Sequence, residues 1–206
     1  LVEMTDGRYH AALLSTAESL EVVRRAKAKG LRVTCDTAPH YFTLNELAVG
    51  DYRTFAKVMP PLRSEEDRAA IAEGVADGSI DAIASDHSPH DQAPKRLPFA
   101  QAEFGILGLE TLLPLSLALV HKGEVGLLDL LARLTCKPAE ILRLPAGRLQ
   151  PGAPADLVLF DLERPWRLDP ALFRSKSKNS PFEGHLVQGK VLRTVVDGRS
   201  IFVAED

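Results

Sequence analysis

The stretch DAIASDHSPHD, residues 81–91, runs a short apolar segment into a cluster of titratable side chains. Ile80 to Ala84 carries the apolar run, and Asp86, His87 and His90 follow it. Carboxylate and neutral imidazole together suit zinc or a similar divalent ion. A carboxylate beside such an ion can also take a proton from an attacking water and return it to a leaving group. These are the parts of metal-assisted hydrolysis. The competing reading is a polar turn that happens to carry histidines. A further histidine, His40, follows another apolar run, in TAPHY. A lone histidine after a strand is more often a hydrogen-bonded structural residue than a ligand. Two such strand ends leave ligation and a structural role both open.

The elements that would position these residues alternate along the chain. Residues 9–15 (YHAALLS) predict a strand, and Ser15-Thr16-Ala17-Glu18 a capping box. Leu20, Val23 and Ala26 continue at helical spacing, and Gly30 stops the helix. Residues 31–36 (LRVTCD) predict a second strand, 54–59 (TFAKVM) a weaker third and 80–85 a fourth. A helix is predicted from Ser64 to about Asp77, with Gly78 behind it. Helical patterns follow in GLETLLPLSLALVHKG, LLDLLARL and CKPAEILRL, with Pro114 starting or kinking the first. Strands alternating with helices imply an α/β fold with a parallel sheet, whose ligands gather at the strands' carboxyl ends. His40, Asp86, His87 and His90 all fall there. From about Leu149 the texture becomes β-rich, with Asp197-Gly198 as a hairpin turn. The predicted division is therefore 1–148 and 149–206.

Composition narrows the function classes. The 206 residues are 45% apolar and 26% charged, with a net charge of -3. That balance gives no electrostatic case for nucleic acid or an anionic membrane surface. No apolar stretch is long enough to span a bilayer, and the first residues do not read as a signal peptide. Cys35 and Cys136 form no CxxC pair, so a reduced cytoplasm is the expected compartment. Cys35 is expected to be buried, and His121 and His185 to lie on the surface. Arg174, Lys176 and Lys178 read as a solvated loop. Leu1 is not an initiator methionine, which suggests a fragment or a processed piece.

APHYF, KVMPPLR, SDHSPH, GILGLETLLP, GRLQPGAPADLVLFD and the tail KNSPFEG…GKVLRTVVDGR occur in order along nearly the whole chain. Together they resemble the dihydroorotases of the amidohydrolase superfamily, with allantoinases and hydantoinases as close relatives. The resemblance implies a (β/α)₈ barrel of TIM type with a composite β domain. This sequence looks like the second half of that barrel followed by a small C-terminal β appendage. The implied activity is hydrolysis of a cyclic amide, interconverting dihydroorotate and N-carbamoyl-aspartate in pyrimidine synthesis. The implied cofactor is zinc, one or two ions in the complete protein. By the same resemblance His40 and Asp86 bind metal, and Asp86 is also the general acid/base. His90 helps bind the substrate carboxylate. FAQAEFG, with Ala102 and Gly105, resembles a loop whose backbone lines the substrate pocket, and His87 is structural. Implied partners are the missing N-terminal half, a second copy in a homodimer, and aspartate carbamoyltransferase.

Two positions depart from the family pattern. Leu13 stands where the family has a metal-binding histidine, and Met59 where many members have a substrate-binding asparagine. Strand alternation turns His10 away from the site, so it is not expected to substitute. A second reading is therefore a non-catalytic dihydroorotase-like partner of aspartate carbamoyltransferase.

Overall fold

The computed structural model describes residues 1–204. It builds two three-stranded sheets flanked by helices. After a short helix α1 (Val2–Thr5), strand β1 (Tyr9–Ala11) leads into helix α2 (Ala17–Ala28). Strand β2 (Val33–Thr37) pairs parallel to β1, with Tyr9 opposite Val33 and Ala11 opposite Cys35. Helix α3 (Pro39–Thr43) follows at once, then helix α4 (Glu65–Asp77) and strand β3 (Ala82–Ile83). β3 pairs parallel to β2 on the side away from β1.

Local chemistry accounts for these bounds. Thr16 caps α2 by accepting from the Ser19 amide, one residue later than the predicted box. Ser64 caps α4 through the Asp67 amide, and three acidic residues fill that first turn, where the helix dipole favours them. Gly78 closes α4 at φ 83, in the left-handed region that glycine enters without strain. The two helices pack closely because Gly74 has no side chain. A Cβ there would come within 2.6 Å of Leu20 Cδ2. Lys27 of α2 binds Asp81 at 2.6 Å, and the same carboxylate accepts the Cys35 amide at 2.8 Å. One ion pair thus ties helix, sheet and the entry to β3. Cys35 is buried, as expected.

Strands β1 and β3 are shorter than predicted. Just beyond their ends, Leu13 and Asp86 take left-handed backbone, with φ of 56 and 44, which stops an extended ladder. The predicted third strand, 54–59, does not form. Thr54–Ala56 is a 3₁₀ turn, and Pro60 and Pro61 offer no amides to a ladder. Lys57, in the middle of that run, is buried and turns its ammonium to carbonyls elsewhere.

Four more helices complete the first part: α5 (Gln92–Lys95), α6 (Leu112–His121), α7 (Leu127–Leu134) and α8 (Cys136–Leu142). Pro114 sits in the first turn of α6, where its missing N–H costs nothing. No helix among the described residues is long and apolar enough to cross a membrane. The β-rich tail forms strands β4 (Leu157–Arg167), β5 (Leu186–Val196) and β6 (Arg199–Val203), antiparallel in that order. Asp197 and Gly198 make the predicted hairpin turn, both at positive φ. α6 rests on β5, where a Cβ on Gly189 would overlap Leu117. Leu168, Phe173 and Phe182 from the tail join the same buried cluster as Leu20, Ile71, Ile80 and Leu130. His185 is exposed, as predicted. His121 is not a free surface residue: it is half-buried at the C-terminal end of α6, with its Nε2 buried.

Candidate active site

The parallel strands deliver His40 and Asp86 to one place. Pro39, with its fixed φ, starts α3 directly after β2 and sets His40 in the first turn of that helix. Asp86 follows β3. His40 Nε2 lies 3.5 Å from Asp86 Oδ2, with the imidazole 2% and the carboxylate 17% exposed. Burial pushes the His40 pKa down to about 3, so the ring is neutral. Burial, and then the charge of Asp36, push the Asp86 carboxyl up to about 6. With a neutral ring this proximity is not an ion pair. Nor is it a hydrogen bond, since His40 Nε2 is buried with no hydrogen-bond partner among the described residues. A buried imidazole nitrogen left unpaired beside a carboxylate is costly in itself. A divalent cation would satisfy both groups at once, and the donor set has the right chemistry. It is incomplete. Among the described residues no three His, Cys, Asp or Glu side chains stand together to hold a metal.

The end of β1 contributes no ligand. Leu13 is held by its amide, which donates to Asp36 Oδ1 at 2.7 Å. A left-handed leucine is strained, and strain of this kind gathers at functional sites. His10 is engaged by hydrogen bonds of its own. Its Nε2 lies 2.9 Å from Asp36 Oδ2 and its Nδ1 2.8 Å from Thr34 Oγ1, so both ring nitrogens are engaged. Met59 is 56% exposed.

Two loops surround the strand ends. His87 accepts the amides of Gly108 and Leu109 on Nδ1, at 3.1 and 3.4 Å, which gives it a structural part. A Cβ on Gly108 would land on the Ser85 carbonyl oxygen, backbone that has no free rotamer to yield. Gly108→Ala should therefore displace the Ser85–His87 segment. It should destabilise the full-length protein by about 3 kcal/mol, the upper part of the overpacking range. A lowered urea midpoint would register the loss, and a midpoint equal to wild type would refute the close approach.

His90 is half-buried and lines a cavity of about 260 Å³ with Phe55, Arg96, Asp169, Lys178 and Asn179. His40 and Asp86 do not line that cavity. Ala102 and Gly105 are buried, and their backbone groups are engaged. The Ala102 amide donates to the Pro98 carbonyl and that of Gly105 to the Lys57 carbonyl. Their own carbonyls accept from Lys57 Nζ at 2.6 Å and from Asn179 Nδ2 at 3.2 Å. Each oxygen keeps a second lone pair for another donor.

Three residues with parts in this architecture were not among the sequence candidates. Lys57 Nζ donates to the carbonyls of Phe99, Ala100 and Ala102, and lies 4.3 Å from the centre of the Phe104 ring. Lys95 is 2% exposed, and burial and the nearby Lys57 charge lower its pKa to about 8. It binds the carbonyls of Thr54 and Glu103. Two buried ammonium groups thus shape the 99–105 loop. Asn179, from the NSPFEG tail, bridges that loop to the segment holding His90. A lysine inside an apolar run was the available signal for Lys57. The tail motif was visible, but nothing local assigns its asparagine a target.

The chain is similar to known proteins in sequence and fold. The amidohydrolase family model matches residues 3–201. The chain is 55% identical over 205 residues to a dihydroorotase of Anaplasma phagocytophilum (strain HZ), covering 100% of this chain and 46% of that protein. Its fold matches the L-hydantoinase (dihydropyrimidinase) of Arthrobacter aurescens with a TM-score of 0.92 at 32% identity, over 100% of this chain and 48% of the other. It also matches the inactive dihydroorotase-like domain of a Chaetomium thermophilum CAD-like multifunctional protein, with a TM-score of 0.72 at 24% identity, over 97% of this chain and 52% of the other. The chain thus spans about half the length of its relatives. With nearly every described residue inside the family match, the chain belongs to the amidohydrolase family.

Proposed function

We propose that the protein of which this chain is a part is a dihydroorotase, a cytoplasmic enzyme that opens a cyclic amide by metal-dependent hydrolysis. Dihydroorotate and N-carbamoyl-aspartate are its substrate and product. The observation that carries this reading is the unpaired, buried His40 Nε2 facing Asp86 across 3.5 Å. Similarity to a dihydroorotase at 55% identity supports it. In this reading residues 1–148 are the second half of a (β/α)₈ barrel, and 149–206 belong to the composite β domain. The missing half supplies the remaining ligands. The complete protein pairs as a homodimer, with aspartate carbamoyltransferase as a further partner.

His40 and Asp86 would hold zinc, which when bound supplies Lewis-acid polarisation of the ring carbonyl and acidifies water. Asp86 accepts the proton of the attacking water as its oxygen bonds to the carbonyl carbon. The ring carbon–nitrogen bond then breaks, and Asp86 returns the proton to the leaving nitrogen. A carboxyl pKa raised toward neutrality suits a group that must both take and give a proton. His90 pairs with the substrate carboxylate, and the backbone around Ala102 and Gly105 lines the pocket.

Leu13 favours a second reading, a structural homologue without catalysis, because leucine removes a donor where the family has histidine. Metal analysis and a dihydroorotate hydrolysis assay on the full-length protein separate the two. Turnover with roughly one or more equivalents of zinc per chain is expected for an open catalytic site. Zinc below about a tenth of an equivalent, with no turnover, would establish the structural reading.

A further inference from the structure

We propose that Asn179 is a positioning residue of the substrate site, fixing His90 and the Gly105 carbonyl in one geometry. The inference rests on the hydrolase reading and deepens it, because those two groups are among the ones assigned to the substrate. The Asn179 side chain is 2% exposed. Its Oδ1 accepts the His90 amide at 3.1 Å. Its Nδ2 donates to the Ser88 carbonyl at 2.9 Å and to the Gly105 carbonyl at 3.2 Å. Its own backbone carbonyl accepts the Leu107 amide at 3.0 Å. Both amide protons are therefore committed, one to the loop at Ser88 and one to the loop at Gly105.

The two loops approach closely at this point. Gly105 has φ +114, and a Cβ there would overlap Ser88 and come within 3.3 Å of His90 Nε2. Contact that tight leaves no side chain to interlock the loops, so backbone polar groups must do it. A planar amide offers an acceptor and two donors in a fixed fork, which no hydroxyl or apolar residue reproduces. The burial of Asn179 makes each of these bonds costly to lose. Because the His90 amide is fixed through Oδ1, the imidazole starts from a fixed Cα. Among the described residues the Asn179 side chain bonds to His90, Ser88 and Gly105 and not to the His40–Asp86 pair. Its influence on the reaction runs through binding.

The test uses the full-length protein. Asn179→Asp keeps the shape and the His90 bond but sets oxygen against the Ser88 and Gly105 carbonyls. Asn179→Ser, smaller and uncharged, is the second variant should the buried carboxylate prevent folding. Each folded variant should show KM for dihydroorotate raised about tenfold or more, with kcat within about threefold of wild type, the signature of lost ground-state positioning. Zinc content should be unchanged. A KM within about twofold of wild type would overturn the inference and leave the hydrolase reading standing. So would a parallel loss of kcat and zinc, which marks a merely structural residue. Should the wild type itself fail to turn over, the hydrolase reading falls separately. Amide exchange then decides: faster exchange at His90 in Asn179→Ser supports the positioning role, and unchanged exchange removes it.

Discussion

Asp86→Asn in the full-length protein should lower kcat for dihydroorotate hydrolysis about a thousandfold, the middle of the range for a positioned acid/base. Asparagine keeps the shape and one oxygen donor but cannot accept and return a proton. It also tolerates the left-handed backbone, φ 44, that Asp86 adopts, so the β3 end should keep its path. The fold should not suffer, since burial and the Asp36 charge already disfavour the ionised carboxylate. Steady-state rates measured beside zinc content would separate lost chemistry from lost metal. A variant that retains its zinc and turns over within tenfold of wild type would remove Asp86 from the proton path.

The isolated chain, residues 1–206, should show no detectable turnover and should associate with itself as concentration rises. Among the described residues its parallel sheet has three strands, with β1 and β3 at its two edges. Parallel sheets in α/β proteins are normally covered on both faces, and open edges recruit further chain. Large apolar side chains also stand in solvent, including Leu128 at 80%, Leu149 at 81% and Leu172 at 81% exposed. Two donors, His40 and Asp86, also make an incomplete metal set among the described residues. Light scattering across a concentration series, beside the hydrolysis assay, checks both halves of the expectation. Co-expression with the upstream half should restore a discrete particle and activity together. A monodisperse, active isolated chain would show that this half needs nothing further.

Periodicity and capping residues made most of the helices legible. Ser64 and Gly78 act within one turn of themselves, so a local reading finds them, whereas the α2 cap falls on Thr16, one residue past the predicted box. The Asp197-Gly198 hairpin is legible for the same reason. Strand lengths were not. β1 and β3 end where Leu13 and Asp86 turn left-handed, and leucine gives no hint of that conformation. The run 54–59 looked like a strand by composition. Its outcome was set by Lys57, whose ammonium is satisfied by carbonyls more than forty residues later. The meeting of His40 and Asp86 followed from the rule that parallel strands present their carboxyl ends together. Asn179 escaped because its three side-chain partners lie 91, 89 and 74 residues upstream, a separation that no local pattern encodes.

That separation fixes an order of events during synthesis. Every group fastened by the Asn179 amide is translated before Asn179 itself. While the ribosome still holds the tail, the segments around Ser88 and Gly105 are made but unlatched. Asn179 lies in the segment between β4 and β5, so those two loops acquire their shared hydrogen bonds only once that segment has emerged.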